Sequence, residues 1–185
     1  MLHALAKTAD ILNENNIIWG LGGSLMLHMH GIIDNPNDID LLVSENHAPL
    51  AGKVLDNLGE RKETVHSPPF KTAFFAKYRV ENTPVDLMGG YSIIHEEGTY
   101  KLAFEKNNIA DSTSFNGKTI YLSSLEDWYV LYSLMPNREE KVHLIEQHFK
   151  EKGINHPDLL IKALRQPLPE PLRNKIQYFL SLEDS

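Results

Sequence analysis

The segment over residues 17–31 constrains the fold more than any other part of the sequence. Residues 17–21 form an apolar run typical of a buried strand, and Gly22-Gly23-Ser24 follows as a turn. Residues 25–30 repeat apolar side chains at helical spacing, and Gly31 stands at the expected C-terminal cap. A strand, a glycine turn and a helix in this order predict an α/β (α+β) fold with a mixed twisted sheet flanked by helices.

The pattern of the sequence changes near Leu122. Before that residue strand-like and helical runs alternate, and Asn116-Gly117 predicts a tight hairpin turn. After it the pattern is helical, and Ser124 and Asp127 have the spacing of a capping box. We therefore predict an α/β domain over residues 1–122 and a C-terminal helical subdomain, or tail, over residues 123–185. Further strands are predicted at 38–43, 62–66, 70–80 and 85–88.

Composition narrows the class of protein. The 185 residues, 42% of them hydrophobic, are enough for one compact domain with a small appendage. A net charge of −7 argues against broad coating of nucleic acid or of an anionic membrane. The absence of cysteine excludes disulfides, thiolate zinc sites, iron–sulfur clusters and a cysteine nucleophile. Because the sequence shows neither a long apolar run nor a recognisable leader, we expect a cytoplasmic protein that does not cross a membrane.

Asp38 and Asp40 are the most informative pair of residues. Side chains two apart on a strand point to one face, so both carboxylates project together. Like charges held this close repel each other unless a cation lies between them, and Mg²⁺ is the natural counterion. The alternative is a solvated acidic turn ahead of a strand, which is the commoner origin of an isolated Asp-x-Asp sequence.

Two further features favour a site over a surface turn. Backbone amides of Gly22-Gly23-Ser24, at the start of a helix, are suited to phosphate, although the glycines are also explained by close packing of strand and helix. A third carboxylate, Asp86, lies within an apolar strand, where an acid needs a partner. If the two strands are neighbours, three carboxylates converge on one patch that can hold two cations.

These residues resemble the signature of a known superfamily. Gly22-Gly23-Ser24, a thirteen-residue gap, Asp38-Ile39-Asp40 and a distant strand residue, Asp86, are similar to the nucleotidyltransferases, which include DNA polymerase beta. The similarity is good over residues 17–43 and extends to Met88, with small bacterial members such as lincosamide nucleotidyltransferases and antitoxin-linked toxin transferases. The fold that the resemblance implies is the minimal nucleotidyltransferase fold.

The resemblance also implies roles for individual residues. Gly22, Gly23 and Ser24 would bind the triphosphate of an NTP such as ATP. Asp38 and Asp40 would ligate two Mg²⁺ ions, with Mn²⁺ as an alternative. Asp86 would ligate one of these ions and activate the hydroxyl of an acceptor.

A triphosphate also needs positive charge. Strand alternation predicts that Lys71, Lys77 and Arg79 share one face, where Lys71 and Arg79 would contribute to nucleotide binding. The alternative is an edge strand that lysine residues protect from aggregation, and the sequence does not separate the two.

The sequence therefore predicts a metal-dependent nucleotidyltransferase that moves a nucleoside monophosphate from an NTP to a hydroxyl and releases pyrophosphate. The acceptor could be a small molecule, RNA or protein, the last two being typical of toxin-type transferases, and a second subunit of a homodimer could complete its pocket. Many members of the superfamily place Arg and then Thr or Ser before the first Asp, where this chain has Asp34-Asn35-Pro36-Asn37. That difference supports an alternative, a non-catalytic nucleotide- or partner-binding module on the same fold.

Overall fold

A computed structural model describes residues 1–65 and 67–183 of the chain. Its described residues form seven α-helices, a seven-stranded mixed sheet and a separate two-stranded hairpin. The helices are α1 (Leu2–Glu14), α2 (Gly23–Met29), α3 (Ala48–Leu55), α4 (Leu125–Leu134), α5 (Glu139–Lys152), α6 (Pro157–Ala163) and α7 (Glu170–Glu183). The strands are β1 (Trp19–Gly22), β2 (Ile39–Val43), β3 (Glu60–Lys62), β4 (Phe74–Val80), β5 (Thr83–Gly89), β6 (Tyr91–His95), β7 (Gly98–Leu102), β8 (Ile109–Phe115) and β9 (Lys118–Ser123).

The large sheet has the strand order β3-β4-β5-β2-β1-β9-β8. Strands β2 and β5 are parallel, as are β1 and β9, and the other neighbours are antiparallel. The sheet is therefore mixed, and the predicted α+β fold class is confirmed. Because β2 and β5 are neighbours, the strands that carry the predicted carboxylates lie side by side at the centre of the sheet.

One hydrophobic cluster runs through the sheet and the tail. It contains Trp19 and Leu41 of the sheet together with Trp128 and Phe149 of the helices. Helix α4 is buried on almost all sides because α5, α6 and strand β6 of the hairpin pack around it. The division into units at residues 1–122 and 123–185 stays a prediction, and residues 184 and 185 lie outside the described part.

Local signals in the sequence predicted several boundaries. Asn116 and Gly117 have φ angles of 51° and 72° and form the turn between β8 and β9, as the sequence predicts. The Ser124 hydroxyl accepts a hydrogen bond from the Asp127 backbone N–H at 2.9 Å, which caps α4. In the described residues, no helix is long and apolar enough to cross a membrane.

Other boundaries differ from the predictions. The strand predicted at 70–80 begins only at Phe74, because the preceding segment pairs with β6, where the Lys71 N–H donates to the Ser92 carbonyl at 2.8 Å. The strand predicted at 62–66 lies earlier, at Glu60–Lys62, and His66 is outside the described residues. The β6–β7 hairpin was not predicted.

Candidate active site

A row of four residues crosses the centre of the sheet. Gly22 of β1 pairs with Asp40 of β2, which pairs with Asp86 of β5, which pairs with Lys77 of β4. Residues in register on adjacent strands present their side chains to the same face, so two carboxylates and one ammonium lie next to each other. The predicted convergence of the two strands therefore occurs, and Lys77 is the third charge in the row.

Asp38 completes the acidic cluster from the residue just before β2. Its carboxylate accepts a hydrogen bond from the Ser24 hydroxyl at 3.2 Å, and that hydroxyl accepts one from the Asn37 backbone N–H at 3.1 Å. Ser24 is only 2% exposed, so these bonds fix the start of α2 to the loop that carries Asp38. We call Asp38, Asp40 and Asp86 the carboxylate triad.

The two glycines of the turn are required for different reasons. Gly23 has a φ of +60°, and a Cβ there would lie 1.7 Å from Oδ2 of Asp40. A Cβ on Gly22 would lie 2.2 Å from the indole ring of Trp128 on α4. Gly23 therefore makes room for the carboxylate, whereas Gly22 makes room for the tail.

The carboxylate triad lines a cleft of about 480 Å³ between the sheet and the tail. The sheet side consists mainly of β2, β4 and β5 with the segment before β4, and the facing side comes from α4 and the start of α5. Residues of the facing side are Trp128, Tyr132, Met135, Arg138 and Lys141. The tail therefore forms one wall of the cleft.

The electrostatics of the triad follow from its crowding. Burial raises the pKa of Asp40 well above its usual range, and the charges of Asp38 and Asp86 raise it further. Burial also raises the pKa of Asp86, and the Lys77 ammonium, 3.1 Å from its carboxylate, opposes that rise. Ionising all three acids is costly, so the site favours bound positive charge.

The tail supplies that charge from the opposite wall. The ammonium of Lys141 lies 4.9 Å from the centre of the Tyr132 ring. Burial and the neighbouring Arg138 lower the pKa of Lys141, whereas Asp40 and Asp38 raise it, so the lysine lies within electrostatic reach of two of the three carboxylates. We call Arg138 and Lys141 the tail cations.

Comparisons with known proteins agree on the fold. A protein from Thermotoga maritima, provisionally described as a nucleotidyltransferase, is 24% identical and has a TM-score of 0.61 over 82% of this chain and 93% of its own. The lincosamide antibiotic adenylyltransferase LnuA, with lincomycin bound, is 17% identical, with a TM-score of 0.51 over 79% and 96% of the two chains. ANT(2″)-Ia, in complex with adenylyl-2″-tobramycin, is 14% identical, with a TM-score of 0.51 over 82% and 90%.

This chain has the nucleotidyltransferase fold. No protein-family model matches the sequence, and no curated protein matches it at a significant level. The likeness therefore rests on three-dimensional structure, with identities at which a shared fold does not by itself establish a shared activity.

Two of the predicted nucleotide-binding residues, Lys71 and Arg79, lie outside the cleft. Lys71 precedes β4 and Arg79 lies two residues beyond Lys77 on the same strand, where it pairs in register with Glu60 and Pro84. Neither lines the cleft. The alternation argument fails for Lys71 because its segment is not part of β4. A role for either residue in nucleotide binding stays a prediction.

Sequence reasoning assigned no role to the tail cations. Arg138 is the N-cap residue of α5, and Lys141 follows it by three residues in the first turn of that helix. The sequence contains that spacing, but it does not show which side of the sheet α5 faces. The available signal in the sequence is the pair of basic residues at the start of α5, which could have been considered as a counterpart to the acidic strand residues.

The triad fits a hard divalent cation, because its donors are carboxylate oxygens and because burial and nearby negative charge raise the pKa values of Asp40 and Asp86. Within residues 1–65 and 67–183, no group of three or more His, Asp or Glu side chains is arranged to hold a metal ion alone. Mg²⁺ commonly takes one or two carboxylates and completes its shell with water and substrate phosphates. Asp38 and Asp40 fit that mode, since Asp86 is engaged by Lys77.

Proposed function

We propose that this protein is a metal-dependent nucleotidyltransferase that transfers a nucleoside monophosphate from an NTP to a hydroxyl and releases pyrophosphate. The observation that carries the proposal is the carboxylate triad, which lines one cleft opposite two cations. The nucleotidyltransferase fold supports it. Mg²⁺ or Mn²⁺ held by Asp38 and Asp40 would neutralise these two carboxylates and withdraw charge from the α-phosphate.

The tail cations fit the triphosphate. Arg138 is exposed at the rim of the cleft, and Lys141 is half-buried against Tyr132, so both can meet an anion that enters from solvent. Their positive charge would hold the β- and γ-phosphates and stabilise the departing pyrophosphate. The Ser24 hydroxyl is already bonded to Asp38 and to the loop, so we assign it to positioning.

Asp86 fits the role of general base. Its carboxylate faces the cleft and lies opposite Asp40 on the neighbouring strand. As the acceptor oxygen forms its bond to the α-phosphorus, Asp86 would take the hydroxyl proton, and the bond to the pyrophosphate oxygen would break. The raised pKa of Asp86 suits it to receiving a proton.

The transfer assay uses α-labelled ATP, GTP, CTP and UTP in turn. ATP is tested first, because two of the structural neighbours are named for adenylyl transfer to an antibiotic or contain an adenylylated one. The protein is incubated with Mg²⁺ and separate pools of hydroxylated small molecules, small RNAs and proteins. We expect one of the four NTPs to label a product in one of the pools. The same NTP labelled on its γ-phosphate should give no labelled product, because that phosphate leaves with pyrophosphate. Transfer that persists in Asp40→Asn would overturn the proposal.

A binding module without turnover is the second candidate. The Lys77–Asp86 ion pair favours it, because the carboxylate of the proposed base is already paired with the Lys77 ammonium. Calorimetry with non-hydrolysable NTP analogues separates the two functions. Tight binding that needs neither Mg²⁺ nor Asp38 supports the module. Binding that needs both supports the transferase.

A further inference from the structure

We propose that the acceptor carries an anionic group close to the hydroxyl that is modified, and that Lys77 selects acceptors by pairing with this group. The inference rests on the proposed function, because it assigns the Asp86 side of the cleft to the acceptor. It concerns the chemical class of the acceptor and the residue that determines specificity.

The first support is the position of Lys77. Its ammonium lies 3.1 Å from Asp86 and 5.5 Å from the centre of the Phe75 ring, and 48% of the side chain is exposed. Asp86 itself is only 17% exposed. A molecule that approaches Asp86 from the cleft therefore meets the lysine at the same point.

The second support is the distribution of charge. Among the described residues that line the cleft, every carboxylate belongs to the triad, and the remaining charged groups are Lys77 and the tail cations. When metal is bound to Asp38 and Asp40 and Lys77 pairs with Asp86, a polycationic acceptor finds no unpaired acid among these residues, and it meets three positive side chains. An acceptor with an anionic group has complementary charge.

The third support is the separation of the three cations. Lys77 is on the sheet wall, whereas the tail cations are on the facing wall. An NTP held by the tail cations leaves Lys77 without a phosphate partner. The wall beside Lys77 is apolar: Phe75 is next to it on β4, and Phe70 packs edge-to-face on Tyr91 with the ring centres 6.2 Å apart. That wall suits a flat or apolar part of the acceptor.

Binding of the anionic group to Lys77 also explains how Asp86, which is paired with that lysine, becomes available as the base. When the anionic group binds, the Lys77 ammonium gains a new counterion and the Asp86 carboxylate is released. Lys77 keeps its proton, and Asp86 receives the proton of the acceptor hydroxyl. An acceptor without the anionic group leaves the Lys77–Asp86 pair closed.

The test measures acceptor binding without transfer. Phenyl β-D-glucoside and its 6-phosphate share a ring and hydroxyls and differ in charge, and tobramycin serves as the polycation. Their dissociation constants are measured by ligand-observed NMR, with Mg²⁺, in the presence and absence of α,β-methylene-ATP. The proteins compared are wild type, Lys77→Met, Lys77→Arg and Arg138→Gln. Circular dichroism verifies that each variant is folded.

We expect wild type and Lys77→Arg to bind the 6-phosphate about tenfold more tightly than the uncharged glucoside, the effect of one charge-assisted contact. Lys77→Met should abolish that ratio and leave the affinity for α,β-methylene-ATP unchanged. Equal binding of both glucosides, binding of neither, or tighter binding of tobramycin would overturn the proposal. So would a loss of analogue affinity in Lys77→Met as large as that in Arg138→Gln, because Lys77 would then bind the nucleotide.

The two failures are distinguishable. If the preference for the 6-phosphate holds while the transfer assay finds no product, the proposed function fails and the anion-selective cleft stands. If transfer occurs to an uncharged or cationic acceptor, the proposed function stands and the inference about Lys77 fails.

Discussion

At the scale of single residues, the site is built at the expense of stability. Asp40 is close enough to two other carboxylates for their charges to raise its pKa, and Gly23, at a left-handed φ of +60°, leaves the space that a Cβ would take from it. A group whose pKa is raised in the folded state destabilises that state as pH rises above its ordinary pKa. The residues that equip the cleft for a cation therefore weaken the fold when no cation is bound.

Asp40→Asn should stabilise the protein in the presence of a chelator. At pH 7 we expect the free energy of unfolding to rise by on the order of 1–3 kcal/mol, because an amide of the same shape escapes the charge repulsion and the burial penalty. The gain should shrink as pH falls toward about 4, the usual pKa of aspartate. Urea unfolding measures both.

The matched control for that substitution is Asp34→Asn, at an exposed position on the loop before the triad. It should change the free energy of unfolding by less than about 0.5 kcal/mol. If Asp40→Asn destabilises the protein at pH 7 while the control does not, the repulsion argument is wrong.

Ser24→Ala tests the positioning of Asp38. The substitution removes two hydrogen bonds, so we expect a loss of about 1–2 kcal/mol in the free energy of unfolding and weaker Mn²⁺ binding in the presence of an NTP analogue. Ser133→Ala removes a hydroxyl that bonds within α4, to the Tyr129 carbonyl, and should affect neither quantity appreciably. Unchanged Mn²⁺ affinity in Ser24→Ala would contradict the positioning role.

At the scale of elements, local signals decide the first turn of α4. Ser124 caps the helix, and the buried carboxylate of Asp127 accepts a hydrogen bond from the Asn108 side chain at 3.0 Å. Burial raises the pKa of Asp127 to about 6, although hydrogen bonds with Asn108 and Ser124 oppose the rise. The sequence predicted this cap because its spacing is local, but it did not show that the acid would be buried.

Asp127→Asn should remove one component of the pH dependence of stability. The folded protein binds this proton more tightly than the unfolded chain, so the wild type loses stability as pH rises from about 4 to about 6. The variant keeps the hydrogen-bond acceptor and lacks the titration. The free energy of unfolding of the variant should exceed that of wild type by an amount that grows across that window to at most roughly 3 kcal/mol and then stays constant.

Urea unfolding at several pH values between 4 and 8 measures the difference. The Asp34→Asn variant reports whether any Asp-to-Asn change at a poorly buried position has the same effect. A difference between wild type and Asp127→Asn that is constant with pH would show that burial does not shift the titration of Asp127.

At the scale of the whole molecule, the tail completes the cleft. The sequence predicted β1, the glycine turn and the acidic strands because each is encoded within a few consecutive residues. It did not predict that Trp128 covers Gly22, or that the tail cations face the triad, because those contacts join segments about 100 residues apart. The misplacement of Lys71 has the same origin, since its segment pairs with a hairpin that the local pattern did not reveal.

The contact between Gly22 and Trp128 can be tested by a double-mutant cycle. Gly22→Ala should lower the free energy of unfolding by about 1–3 kcal/mol, because its Cβ would overlap the indole. In a Trp128→Ala background the same change should cost less than about 0.5 kcal/mol. Additive effects in urea unfolding would show that the glycine is not required by the packing of the tail.

The central claim is that Asp38 and Asp40 hold a divalent cation together with an NTP in the cleft. Electron paramagnetic resonance of Mn²⁺, titrated into the protein with α,β-methylene-ATP, tests it without knowledge of the acceptor. We predict that wild type and Asp34→Asn bind Mn²⁺ tightly only when the analogue is present, and that Asp40→Asn loses at least about tenfold in affinity. Equal Mn²⁺ binding by Asp40→Asn and wild type would contradict the account.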